Sequence, residues 1–267
     1  GLKFAYRDSA GWQDHTVFSG LHAGYFTLLA LDSFGNARVS FMDGGALRYA
    51  TQAWFSWTIV EVDRAARTGG MSSLAVDPAG VAHIAYQDSM SYDLRYANHG
   101  PSGWELNTLY TTGDVGWSPC IALDSSGRLY IGYADTTKGV VKVAHQGTYP
   151  WVWDLEVVAP LDIAHLSLAV DGQDRPHVVY RGPSGLEYAF RDESGWITEM
   201  LGTEGADGQF PQLALDGSGR PYVLYFDQES ADNIYLRLAY RDEDTWQFLS
   251  VERVMGIVGG IDIALDG

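Results

Sequence analysis

The residues in this chain that could do chemistry are aromatic rings and carboxylates, and they recur. An apolar-Ala-apolar-Asp signature ends at Asp32, Asp77, Asp124, Asp171, Asp216 and Asp266. Six and seven residues before these aspartates stand Tyr25 and Phe26, Met71, Trp117, His165 and Phe210, a set that changes from copy to copy. A second recurring run closes on Asp43, Asp88, Asp135 and Asp227, and Asp114, Asp162, Glu204 and Asp207 lie just ahead of later copies. Ring faces stack on C–H faces and hold cations, while carboxylates accept hydroxyl hydrogen bonds or bind cations. A sugar or a cation would suit that mixture. Simple packing of the rings is the competing reading.

Asp262 breaks the pattern most sharply. The other copies have Leu28, Ser73, Cys120, Ser167 or Gln212 at its register, so it is a candidate catalytic or metal-bound carboxylate. The loop from Asp88 to Asp93 could be read as a calcium loop through those two side chains. It lacks the ligand spacing and distal Glu of an EF-hand loop, which favours a solvated turn and no cofactor. His83 and His177 occupy a slot filled elsewhere by Arg38, Tyr130 and Tyr222, which reads as partly exposed and structural. No convergent set of zinc ligands and no Gly-x-Ser-x-Gly elbow is present. Cys120 is the one cysteine, on an apolar run, so an internal disulfide is excluded and a buried thiol is expected.

The aspartates are spaced 45, 47, 47, 45 and 50 residues apart, the period of a propeller blade with four strands per repeat. Strand A is the apolar-Ala-apolar-Asp run. Gly35, Gly80, Gly127, Asp174 or Gly219 follows three residues later, where a tight hairpin needs positive φ. Strand B carries Phe41, Tyr86, Tyr133, Tyr180 or Tyr225. Its closing Asp becomes Gly182, beside Arg181, in one copy. Strand C reads Leu-x-aromatic-Ala in its best copies, and strand D opens at Trp12, Trp57, Trp104, Trp151, Trp196 and Trp246, seven residues past that Ala. The repeated tryptophans are expected to pack between blades. The extra Trp54 and Trp153 are better placed for surface contact.

The expected fold is all-β, a single six-bladed propeller domain over 1–267, with blades at 25–63, 71–110, 117–158, 165–201 and 210–253. A shared blade would join 261–267 to 1–18. Strands A, C and D occur six times but strand B only five, so that shared blade lacks one strand. Unpaired backbone groups would remain there, and a further chain segment is expected to fill the row.

Formal net charge is −17, which disfavours nucleic acid and anionic membranes as partners. No run is long enough to insert in a membrane as a helix. Acidic excess fits a secreted or extracellular protein.

The A–B hairpin resembles the inner hairpin of NHL-type six-bladed propellers. Arg181-Gly182-Pro183-Ser184-Gly185-Leu186-Glu187-Tyr188 through Gly195-Trp196 is similar to the repeat of tandem-repeat, fucose-binding bacterial lectins. The first resemblance implies that strand A is innermost. The aromatic set would then ring the mouth of a central channel, on a face rimmed by carboxylates. The second implies sugars held between adjacent blades. Together these make a non-enzymatic module with a glycan or protein ligand the leading expectation. A glycoside hydrolase or lyase with a carboxylate pair about 5–9.5 Å apart is one alternative, and a structural scaffold another.

Overall fold

The computed structural model describes residues 1–20, 24–53, 56–64, 71–149, 151–202, 208–230, 233–255 and 260–265. Every regular element among them is a strand. The strands are β1 (Leu2–Asp8), β2 (Gly11–Phe18), β3 (Tyr25–Leu31), β4 (Ala37–Asp43), β5 (Ala46–Ala53), β6 (Ser56–Asp63), β7 (Ser72–Val76), β8 (Ala82–Gln87), β9 (Leu94–Gly100) and β10 (Gly103–Tyr110). They continue with β11 (Val115–Leu123), β12 (Leu129–Asp135), β13 (Val140–Gln146), β14 (Trp153–Pro160), β15 (Ile163–Val170), β16 (Pro176–Gly182), β17 (Gly185–Asp192) and β18 (Gly195–Met200). The last are β19 (Gln209–Leu215), β20 (Pro221–Ser230), β21 (Asn233–Asp242) and β22 (Thr245–Val254). Neighbours in sequence pair antiparallel, giving five four-stranded sheets from β3 onward and the two-stranded pair β1–β2. The chain divides into two compact units, residues 1–116 and 117–267.

Local chemistry explains each sheet. The strand-A aspartate organises the first hairpin with both its backbone and its side chain. Asp124 donates its N–H to the Arg128 carbonyl at 3.0 Å, and its own carbonyl accepts from Gly127 at 3.0 Å. Its carboxylate accepts from the N–H groups of Ser126 and Arg128 at 2.9 and 2.8 Å. The third residue of each such turn has φ between 63 and 84°, supplied by Gly in four copies and by Asp174 in the fifth. Burial disfavours the ionised form of Asp171. The bonds from Arg175, His177 and Gln173 outweigh that and bring its carboxyl down to about 2.

The middle strands are covered on both faces, and β8 and β12 are buried along their whole length. Such strands read as continuous apolar runs, whereas the outer strands alternate. Tyr86, Tyr133 and Tyr180 on strand B are fully buried. In each unit the strand-D tryptophan meets the strand-C aromatic of the preceding blade edge to face: Tyr49–Trp104 at 5.1 Å and Tyr188–Trp246 at 5.2 Å. That is the expected inter-blade packing.

Two expectations need correction. Trp153, not Trp151, fills the structural tryptophan slot of its blade, because it pairs with Gln146 as Trp196 pairs with Arg191. The turn before it runs longer, so a count of seven from Ala144 lands on the turn itself. The His83 and His177 slot is buried, not partly exposed. The described residues 260–265 form no strand.

Candidate functional site

Strands β3, β15 and β19 break register where they begin, between Tyr25 and Leu28, Ile163 and Leu166, and Gln209 and Gln212. Such bulges re-aim side chains. Phe26, Ser118 and Phe210, each six residues before its aspartate, sit at φ of 50, 48 and 50°. Left-handed backbone costs a non-glycine residue about 1 kcal/mol, so the neighbourhood must hold it there.

The expected aromatic set is shared between the units. Tyr25, Phe26 and Met71 lie in the first, and Trp117, His165 and Phe210 in the second. Phe26 is exposed and Met71 half-buried, the latter accepting the Gln87 N–H on its carbonyl at 3.3 Å. Trp117 packs on the core of the second unit. His165 and Phe210 are brought together, their rings stacked 4.0 Å apart. Burial holds the His165 imidazole below its usual value, and its Nδ1 makes no hydrogen bond among the described residues.

The carboxylates of that face are committed to ion pairs. Asp43 pairs with Arg48 at 3.1 Å, Asp88 with Arg95 at 3.4 Å, Asp135 with Lys142 at 2.6 Å and Asp227 with Arg237 at 2.8 Å. Each cation stands opposite the buried strand-B aromatic. In the remaining blade Glu187 holds that place and accepts from Tyr180 at 2.9 Å. A Cβ on Gly182 would fall 2.3 Å from that carboxylate, so Glu187 occupies the space a side chain there would take.

Asp88 further accepts the N–H groups of Met90 and Ser91, and Asp93 accepts the Ser91 hydroxyl at 2.7 Å. Asp162 lies 3.7 Å from Arg181. Asp262 is exposed on no strand and accepts the Ile263 N–H at 2.8 Å, so it does not occupy the inner-strand position expected of it. Glu204, Asp207 and Trp54 lie outside the described residues. Among the described residues no group of three or more His, Cys, Asp and Glu converges as a metal site.

The best-formed concavities open at the other ends of the strands, between adjacent blades. One cleft of about 530 Å³ has Arg175, His177, Tyr188 and Phe190 on one side, with Arg220 and Arg241 on the other. A second, of about 690 Å³, is lined by Arg128, Tyr130, His145 and Glu156 on one side and by Arg175 and Arg191 on the other. A recurring triad crosses each blade boundary here. Glu156 accepts from Arg191 Nε and Trp196 Nε1, both at 2.8 Å. Glu199 accepts from an Arg241 terminal nitrogen and from Trp246 Nε1, both at 3.0 Å. Burial works against ionised Glu156, but the bonds from Arg191 and Trp196 hold its carboxyl below the usual range.

Behind the first cleft, His177 is hydrogen-bonded through Nδ1 to the Tyr188 hydroxyl and through Nε2 to Asp171 at 3.1 Å. Burial keeps that imidazole below its ordinary value, though Asp171 pulls the other way. The first unit repeats the chain as Asp77–His83–Tyr96, with His83 Nδ1 2.6 Å from the Tyr96 hydroxyl. Repetition marks both as structural. The triads went unnoticed in the sequence because their partners stand 35 to 47 residues apart. The available signal was a glutamate three residues after the slot tryptophan, at Glu156 and Glu199.

No family model and no curated protein matches this chain. Solved structures do. A lectin from Aleuria aurantia in complex with alpha-methyl-L-fucoside matches at TM-score 0.55 and 11% identity, over 85% of this chain and 77% of that one. A polysaccharide lyase of family PL25, an ulvan lyase, matches at TM-score 0.58 and 9% identity, over 85% and 69%. TolB from Acinetobacter baumannii matches at TM-score 0.56 and 13% identity, over 94% and 60%. At such identities the likeness concerns the fold alone. That fold is a six-bladed β-propeller of antiparallel, four-stranded blades, the sixth represented by β1 and β2.

Proposed function

We propose that this chain is a non-enzymatic carbohydrate-binding propeller, and that its ligand sits in the inter-blade clefts of residues 117–267. The arginine–glutamate pairs beside aromatic faces carry this reading. In the second cleft Arg191 and Glu156 present a donor and an acceptor side by side, which neighbouring sugar hydroxyls can bridge, and in the first cleft Arg241, held by Glu199, presents its guanidinium. Tyr188 and Phe190 add apolar ring surface to the first cleft. Concave, mostly apolar sites with a few convergent polar groups are where small ligands bind. The fucoside-bound lectin shares the fold, which supports the same ligand class here. A hydrolase reading is less well supported, because the strand-B carboxylates are spent on ion pairs.

The stacked His165–Phe210 pair, with Trp117, is proposed as a second contact surface. Its unsatisfied imidazole nitrogen is a ready partner for a hydroxyl. A glycan-array screen of the whole chain, repeated with calcium and with chelator, tests the assignment. Saturable binding without product release, abolished by Arg191→Ala combined with Arg241→Ala and only weakened by Phe210→Ala, is the expected result. A folded chain that retains no glycan would overturn it.

A further inference from the structure

We infer that the ligand is an oligosaccharide chain and that Tyr149 and Trp151 form a second subsite for it; this rests on the carbohydrate reading. Displacement of the structural tryptophan slot to Trp153 leaves Trp151 in the turn with no packing role. Trp151 is 76% exposed and Tyr149 58%, yet their rings stack 5.2 Å apart and 16° from parallel. One ring stacked on the other leaves outer faces open to water, and the outer face of the Trp151 indole is a flat apolar surface about the size of a pyranose face. The turn beneath is braced, with Gly147 N–H donating to the Val152 carbonyl at 2.8 Å and Val152 N–H to the Tyr149 carbonyl at 2.9 Å. Little order remains to be imposed on binding, which favours affinity.

Position supplies the second argument. A cavity of about 580 Å³ is lined by Gly147 and Thr148 of the same turn, together with Arg128, His145 and Asp154. Arg128 and His145 also line the cleft that holds Glu156 and Arg191. The two cavities therefore adjoin, with Arg128 and His145 standing between them. A single sugar would occupy one of them. A chain of neutral hexoses could place one residue by the Arg191–Glu156 pair and continue past His145 onto the aromatic platform.

Cello-, manno- and malto-oligosaccharides of one to six residues, titrated against the intact chain, provide the test. For any series that binds, affinity should rise roughly tenfold or more between one and four residues, the equivalent of about 1.4 kcal/mol. Tryptophan emission should shift to shorter wavelength only with the longer members. Trp151→Ala and Tyr149→Ala should flatten the length dependence, while Phe34→Ala, which removes another exposed ring, should leave it in place. Affinity independent of length, or equally length-dependent in Trp151→Ala, would overturn the second subsite and leave the clefts standing. Failure of every series to bind would overturn the carbohydrate reading first and this inference with it.

Discussion

The same inter-blade position is built in two ways in the two units. In residues 117–267 a glutamate on strand D faces the next blade, and an arginine and a tryptophan there donate to it. In the first unit Val60 occupies the glutamate register opposite Tyr49, as Glu199 does opposite Tyr188. His99 stands where Arg191 and Arg241 stand, and the buried Trp104 Nε1 has no partner. The cleft beside Val60 shrinks to about 230 Å³. Tyrosine-to-tryptophan packing is nearly unchanged, at 5.1 and 5.2 Å. Blade packing therefore needs the rings alone. The charged triad is an addition to that packing.

Converting one arrangement into the other should show this. Glu199→Val, which copies the first unit, would strand Arg241 and the Trp246 indole; the expected cost is about 2 kcal/mol in urea unfolding, with loss of glycan binding at that cleft alone. Loss of stability with binding intact would show that the triad only packs. A smaller effect should be common to both units. His83, His165 and His177 are held below their usual values by burial, so the unfolded chain takes up protons that the folded chain refuses. Stability should be complete above roughly pH 6.5 and decline as pH falls below it, lowering Tm by about 3–6 °C between pH 7.5 and 5. A flat profile over that range would contradict the assigned burial. Smallest of all, Val60→Glu should give Trp104 its acceptor and gain about 0.5–1 kcal/mol, read from the denaturation midpoint.

What was legible in the sequence was local. Asp124 and Gly127 announce their turn because every bond in it closes within four residues. The buried aromatics of strand B announce themselves by recurring at one register, as Phe41, Tyr86, Tyr133, Tyr180 and Tyr225. Trp151 was misread because the turn before it is longer than its counterparts, and counting cannot see a longer turn. Pairing of Asp43 with Arg48 was hidden in a hairpin register that only the folded sheet makes plain. The clefts were least legible, since Glu156, Arg191 and Trp196 belong to different blades and converge only when those blades pack. Repeat-breaking residues drew attention to one end of the strands, while the best-formed concavities lay at the other.

The aspartate-braced hairpin has a consequence for how the chain reaches this state. Its closing bonds span four residues or fewer, whereas the bonds that lock one blade of the second unit to the next span 35 to 49. Loop-closure entropy is small for the first class and must be met before the second class gives any return. As the chain leaves the ribosome, each turn can close as soon as its own few residues emerge. A blade can then wait, already folded back on itself, for the neighbour that will supply its tryptophan.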